Sequence, residues 1–142
     1  MKAIRDHKLT TLAEIPLFEG CRPSELEHLA KSFDMSWASS GDVLEVEGQP
    51  TRWWKVIVHG TASVSQHGRP TGLFNAGDWW GERSIVSSEP STVTVVALTP
   101  VVLLTLGRRH FLTLPQCHPV VAAHVISQLA GRQAPYEGLA FA

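Results

Sequence analysis

The sequence predicts a mainly β protein, an antiparallel β-roll or jelly roll flanked by N-terminal and C-terminal helices. Between Met35 and Leu106, short β-branched and aromatic runs alternate with Gly, Pro and Asp turns, which is typical of such folds. Segments with helical spacing of apolar residues precede and follow this region. The 142 residues are 44% hydrophobic and 18% charged, which suits one domain with its own core. We expect residues 1–132 to form it and residues 133–142 to be a flexible tail.

The N-terminal part is expected to hold two helices. A shorter helix within Leu9–Phe18 should stop near Pro16, because proline disfavours continuation. A second helix within Arg22–Phe33 begins with Pro23, a residue suited to the first helical position. Its apolar residues recur at the i, i+3, i+4, i+7 spacing of one helix face: Leu26, Leu29, Ala30 and Phe33.

Six strands follow, and after Leu106 the pattern returns to helix. A short helical piece is predicted to end at Pro115, and a longer helix from Val120 should stop at Gly131. The predicted strands are Val43-Leu44, Trp53 to Val58, Thr61 to Ser65, Leu73-Phe74, Thr92 to Leu98 and Val101 to Leu106.

Charge and motifs exclude several functional classes. Twelve basic and 13 acidic residues give a net charge of -1, without the basic excess of a bulk nucleic-acid binder. No apolar run approaches a membrane span or a signal peptide. The only cysteines, Cys21 and Cys117, have no zinc spacing and suggest a reducing, cytoplasmic compartment. Gly-x-Ser-x-Gly, Walker and Gly-x-Gly-x-x-Gly motifs are missing, so we expect no enzyme and no cofactor.

Seven histidines raise the alternative of a cupin-like metalloprotein. Cupins bind metal through a His-x-His pair followed by a glutamate inside the barrel. His59 and His67 stand eight residues apart, and no pair has metal-ligand spacing on one face. Scattered surface histidines are therefore expected, with no metal site.

The segment from Gly77 to Val86 is the most informative in the chain. A Gly-Asp turn precedes Gly81, which opens a single helical turn. Backbone N–H groups at such a place can bind an anion, and Gly81 allows a ligand to approach closely. Glu82 beside them can accept hydrogen bonds from sugar hydroxyls. Alone, this pattern indicates an exposed turn.

Several further stretches, in the right order from about Leu9 to Arg132, extend this pattern. With them the sequence resembles the cyclic nucleotide-binding domain family of catabolite-activator-type regulators, cyclic-nucleotide-dependent kinases and gated channels. The stretches are Ile15-Pro16-Leu17-Phe18-Glu19-Gly20, Glu25-Leu26 to Leu29-Ala30, Gly41-Asp42-Val43-Leu44, Glu47-Gly48, Val56-Ile57-Val58-His59-Gly60, Gly77-Asp78-Trp79-Trp80-Gly81-Glu82, Pro90 to Ala97, Phe111, Pro119 and Leu129-Ala130-Gly131-Arg132.

The resemblance implies a phosphate-binding cassette, residues 81–92, that would hold cAMP or cGMP. Glu82 would accept the ribose 2′-hydroxyl, and amides from Gly81 to Ser84 would bind the cyclic phosphate. Thr92 would add a hydroxyl.

Two cassette positions depart from the family pattern. Ser91 stands where ligand-binding members have an arginine, whose loss should weaken binding about ten- to a hundredfold. Arg83 stands where an apolar residue is usual, and an unpaired arginine is rarely buried. Arg83 either replaces the missing arginine or pairs with Glu82 or Glu89; we favour the pairing.

The resemblance implies a bacterial sensory or regulatory protein in which ligand occupancy sets the position of the C-terminal helix. Without the helix-turn-helix that regulators of this family carry, no direct DNA binding is expected. A protein partner or a homodimer is possible, since Val121, Val125 and Leu129 form a seam or pack on the roll. The alternatives are a degenerate module that binds only proteins, and a pocket filled by Tyr136, Leu139 and Phe141 of the tail.

Four of the five tryptophans form two adjacent pairs, Trp53-Trp54 and Trp79-Trp80. Because neighbours on a strand point to opposite faces, we expect one buried and one exposed ring in each pair. Exposed indoles favour a partner surface.

Overall fold

Eight strands and six α-helices make up residues 2–132, the part of the chain that the computed structural model describes. The helices are α1 (Lys2–Glu14), α2 (Pro23–Ser32), α3 (Glu82–Ser87), α4 (Arg108–Leu112), α5 (Leu114–Cys117) and α6 (Pro119–Arg132), with a short 3-10 helix at Pro16–Phe18. The strands are β1 (Asp34–Ala38), β2 (Val43–Glu45), β3 (Trp53–His59), β4 (Ala62–Gln66), β5 (Arg69–Phe74), β6 (Trp79–Trp80), β7 (Thr94–Ala97) and β8 (Val101–Gly107).

The strands form two four-stranded antiparallel sheets, in the orders β1-β8-β3-β6 and β2-β7-β4-β5. Apolar side chains of both sheets meet inside the roll, including Ile57, Val64, Val95 and Leu103. Within this core, the rings of Phe74 and Trp80 stack with centroids 5.0 Å apart. The predicted fold class, a β-roll flanked by helices, is confirmed.

A second core lies on the outer face of the first sheet, where the helices cover it. Trp54, Leu104 and Leu106 point outward from β3 and β8 into this layer. Phe33 and Val121 reach them from the helical side, and all five residues are fully buried. Both faces of this sheet are therefore covered.

The predicted strands and helices are present with shifted bounds. Helix α1 runs over Lys2–Glu14, earlier than predicted, and gives way to the 3-10 turn at Pro16–Phe18. Helix α6 includes Gly131 rather than stopping there, which costs only about 1 kcal/mol relative to alanine. Strand β1 was not predicted, because its side chains are mostly exposed or half-buried and show no apolar run. The boundary at residue 132 and the tail remain predictions, since residues 133–142 lie outside the described part.

The prediction of one exposed ring per tryptophan pair is right for Trp53-Trp54 and wrong for Trp79-Trp80. Trp53 is 46% exposed and Trp54 fully buried, whereas Trp79 and Trp80 are both buried. The alternation itself holds, because Trp80 points into the roll core and Trp79 into the helix-covered core. The helices bury the ring that would otherwise face solvent. The other exposed indole is Trp37 on β1, at 66%.

Candidate functional site

Gly81 makes the turn between β6 and α3 at the head of the cassette. Its φ of +105° lies in the region that side-chain-bearing residues rarely adopt. A Cβ there would also stand 2.5 Å from the backbone oxygen of Trp53 on the neighbouring strand. Both constraints require glycine, and they place the first turn of α3 against the end of β3.

A narrow cleft between the two ends of the cassette contains five of the six predicted site residues. These five are Gly81, Arg83, Ser84, Ser91 and Thr92, and Thr51 and Trp80 also line the cleft. Its volume is about 10 Å³. That is room for about one water molecule, far below the roughly 300 Å³ of an ordinary small-molecule site. The structure therefore describes the cassette in a closed form.

Ser91 turns its hydroxyl to the backbone rather than into the cleft. Its Oγ donates to the carbonyl of Val93 at 2.8 Å and accepts from the Val93 amide at 3.3 Å. The side chain is buried and stabilises the turn that leads into β7. Ser91 thus supplies no charge where the family arginine would stand.

Arg83 pairs with Glu89 across the outer side of α3. Its Nε lies 3.2 Å from Glu89 Oε2, and the two side chains are 38% and 54% exposed. Of the two alternatives given for Arg83, the structure shows the pairing with Glu89. An exposed pair of this kind contributes about 1 kcal/mol or less, so an incoming anion can compete with it.

Glu82, the sixth predicted residue, lies on the other side of α3. Its side chain is buried and lines an apolar groove of about 240 Å³ between α3 and the C-terminal helices. Val86, Phe111, Val125 and Ile126 line the same groove. The structure therefore does not bring the Glu82 side chain into the lining of the cleft with the other five residues.

A hydrogen bond connects the strand before the cassette to the last helix. Trp79 Nε1 donates to Gln128 Oε1 of α6 at 2.6 Å. Val121 and Val125 of the same helix are buried in the helix-covered core, and Leu129 packs against it. Of the two alternatives for these residues, the structure shows packing against the roll; dimerisation through them stays a prediction.

Glu45 organises the floor of the site, although it was not among the predicted site residues. Its carboxylate accepts hydrogen bonds from the Thr51 hydroxyl, from Lys55 Nζ at 2.7 Å and from Trp80 Nε1 at 3.2 Å. The side chain is almost fully buried. The available signal was a charged residue directly after the predicted strand Val43-Leu44, but its partners lie up to 35 residues away.

A histidine pair outside the cassette joins α2 to the start of α6. His28 Nδ1 lies 2.7 Å from His118 Nε2, and His118 Nδ1 lies 3.8 Å from Glu25 Oε2. Burial and the neighbouring His28 lower the pKa of the His118 imidazole. Hydrogen bonds from the backbone and side chain of Arg22 lower the pKa of Glu25. Burial, with Glu25 nearby, raises the pKa of the Cys21 thiol.

Metal binding and membrane insertion are two further possibilities for residues 2–132. Among these residues there is no group of three or more His, Cys, Asp or Glu side chains that could hold a metal ion. His67 instead approaches Glu47 at 3.2 Å on the surface. None of the helices in this part of the chain has the length and apolarity needed to cross a membrane.

Comparison with known families gives one match over more than half of the chain. The family model described as "Cyclic nucleotide-binding domain" matches residues 37–117, which include the whole cassette.

Individual relatives agree with this match. The acetyltransferase Pat of Mycolicibacterium smegmatis is 35% identical over 106 residues, 72% of this chain and 32% of the relative. A cAMP-dependent protein kinase regulatory subunit of Aspergillus niger is 29% identical over 102 residues, 70% of this chain and 25% of the relative. The chain thus spans a quarter to a third of these relatives.

Among solved structures, a Trypanosoma brucei protein has a similar fold. It is the regulatory subunit of a cAMP-independent protein kinase A, with a TM-score of 0.80 and 25% identity. The match covers 96% of this chain and 48% of that one.

Proposed function

The chain belongs to the cyclic nucleotide-binding domain family, and we propose that its cassette binds cAMP or cGMP weakly as part of a sensory or regulatory function. The observation that supports this most is the shared cleft. Gly81 and Ser84 from the start of the cassette and Ser91 and Thr92 from its end line one space. This arrangement allows polar groups from both ends of the cassette to bind a small anion from opposite sides.

Two features of the cleft predict weak binding of a nucleotide: the missing arginine charge and the small volume. The cleft has Ser91 in place of an arginine, and its one arginine, Arg83, already pairs with Glu89. A charge-assisted hydrogen bond contributes about 1.5–3 kcal/mol, so its loss corresponds to about ten- to a hundredfold in affinity. The cleft of about 10 Å³ must also widen, and that rearrangement lowers the affinity further.

Helix α3 lies between the cleft and the C-terminal helix α6, so it can transmit the effect of a bound ligand to α6. Arg83 and Ser84 of this helix line the cleft, while its Glu82 and Val86 line the apolar groove on the side of α6. We expect widening of the cleft to shift α3 relative to Val125 and Ile126, which line the same groove. Occupancy of the cassette would therefore change the position of α6 and the surface that it offers a partner.

Calorimetric titration of cAMP and cGMP into three proteins tests the proposal. The native chain should bind at least one nucleotide weakly, and Ser91→Arg should bind it about ten- to a hundredfold more tightly. The control is Ser36→Arg, which adds the same charge on exposed β1 and should bind like the native chain. Absence of binding by both the native chain and Ser91→Arg would reject the cassette as a nucleotide site.

A second candidate function is a protein-binding module without nucleotide. The closed cleft favours it, as does the likeness to a regulatory subunit described as cAMP-independent. Val86 and Ile126 at the apolar groove are 63% and 66% exposed, as expected of a surface that meets a protein. Under this alternative, Ile126→Glu abolishes partner capture, and neither nucleotide gives a calorimetric signal.

The proposal extends to location and activity. Two free cysteines favour a reducing, cytoplasmic compartment. The net charge of -1 disfavours DNA as a direct partner. We propose a regulatory domain without catalytic activity of its own, with a protein partner or a second copy of the chain as the recipient of the signal.

A further inference from the structure

A second cleft lies on the outer side of α3, next to the cassette. Its volume is about 410 Å³, large enough for a nucleotide-sized ligand. Thr51 and Ser84 line both clefts, so the two clefts are adjacent. The outer cleft reaches from the loop before β3 to the end of α3 and the start of α4.

Arg52 and Arg108 line this cleft, just beyond the point where β3 and β8 stop pairing. Trp53 of β3 pairs with Gly107 of β8, and Arg52 and Arg108 are the next residues beyond that pair. Both are exposed, and neither forms an ion pair within the described residues, although both line the cleft. Like charges placed opposite each other repel, and a bound anion would relieve that repulsion.

The other polar groups of the cleft suit an anion. Arg108 Nη1 donates to Ser88 Oγ at 3.2 Å, which leaves the serine hydroxyl hydrogen available as a donor. The hydroxyl of Ser84 makes no hydrogen bond to the described part of the chain, and its residue is buried. The one carboxylate, Glu89, is already paired with Arg83. Two guanidinium groups and two hydroxyls therefore line the cleft, and its one carboxylate is already paired with Arg83.

We propose that this outer cleft is a binding site for a phosphate group, held by Arg52 and Arg108 with hydroxyls of Ser84 and Ser88. Guanidinium groups bind phosphate through paired N–H donors, which makes arginine suited to this ligand. The ligand is a phosphate ester or free phosphate. The site is distinct from the inner cleft, because its two arginines do not line that cleft.

Heteronuclear NMR titration of the full chain with inorganic phosphate tests the site, with 5′-AMP as the ester. The native chain should show saturable shifts at the amides of Arg52, Ser88 and Arg108. Arg52→Gln and Arg108→Gln should each weaken phosphate binding about tenfold or more. Arg109→Gln, at an exposed neighbour outside the cleft, should leave it unchanged. A thermal unfolding scan confirms that each variant is folded.

Each outcome has a defined meaning. Tighter binding of 5′-AMP than of phosphate identifies an ester as the ligand, and equal binding identifies free phosphate. No saturable binding to the native chain, or an equal effect of all three variants, overturns the proposal. Ser91→Arg should leave phosphate binding at the outer cleft unchanged, so failure of this site and failure of the cassette are distinguishable.

Discussion

The indole of Trp79 donates a hydrogen bond to the side-chain amide of Gln128 at 2.6 Å, which ties β6 to α6. Trp79 lies two residues before the cassette, and its ring packs against Trp54 at a centroid distance of 5.6 Å. A signal from the cassette therefore has a short physical path to the C-terminal helix.

Gln128→Ala should weaken this connection. Loss of one part-buried hydrogen bond should lower the free energy of unfolding by about 1 kcal/mol. Nucleotide affinity should change little, whereas ligand-induced shifts of α6 amides in NMR spectra should shrink. Ser127→Ala, an exposed neighbour on the same helix, is the control. Unchanged α6 shifts in Gln128→Ala would show that coupling uses another route.

Removal of Glu45 should destabilise the roll strongly. Glu45→Ala deprives the half-buried Lys55 ammonium of its carboxylate, and breaking such a pair costs about 3–5 kcal/mol. Glu45→Leu combined with Lys55→Met should recover part of that loss, because no charge then remains unpaired. Urea unfolding measures both. A loss below 1 kcal/mol in the single variant would contradict the role given to Glu45.

Substitution at Gly81 separates backbone strain from steric overlap. Gly81→Ala meets both a φ of +105° and the Trp53 carbonyl, whereas Gly41→Ala meets a φ of +92° with open space around it. We expect Gly41→Ala to lower stability by about 1–2 kcal/mol. Gly81→Ala should lower the stability by about 1–3 kcal/mol more than Gly41→Ala, because its Cβ would also overlap the Trp53 carbonyl. Equal losses in urea unfolding would show that the close approach is unimportant.

Acid should weaken the contact between α2 and α6 through His118. Its folded-state pKa lies below the ordinary 6.5, so the unfolded chain binds the proton more readily. Stability should therefore fall as the pH drops through 6.5 toward that lower value. His118→Gln should flatten the dependence between pH 7.5 and 5.5, and exposed His110→Gln should not. The pKa of Glu25 is lowered from its ordinary 4.5, so the contribution of this residue to stability is lost only at more acid pH.

Identical pH dependence of the free energy of unfolding in the native chain and His118→Gln would contradict this assignment. The measurement needs urea unfolding at three pH values in one buffer ionic strength, because exposed charges respond to salt.

Much of the fold was predictable because its strands are short apolar runs between turns. Strand β3 and strand β8 were found in this way, and the fold class followed. Strand β1 was not, since it is a short edge strand whose hydrophobic residues Met35, Trp37 and Ala38 are exposed or half-buried and form no continuous apolar run. The burial of Trp79 was missed for a related reason: alternation assigns the face of a ring, whereas tertiary packing decides whether a helix covers that face.

The residues of the cassette could be predicted from the sequence, but the orientations and partners of their side chains could not. Local sequence places Gly81 and Ser84 at the turn and Ser91 at the far end. The orientation of Glu82 toward the apolar groove and the choice of Glu89 by Arg83 depend on contacts across the fold. The partners of Glu45 and the outer cleft at Arg52 also arise from distant parts of the chain.

Binding of a cyclic nucleotide in the cassette is tested most directly by NMR titration of the isotope-labelled native chain with cAMP and then cGMP. The proposed binding predicts saturable shifts at the amides of Gly81, Glu82 and Ser84 with at least one nucleotide, accompanied by smaller shifts along α6. Titrations to millimolar nucleotide that leave these three amides in place, or that shift only residues around the apolar groove, would contradict it.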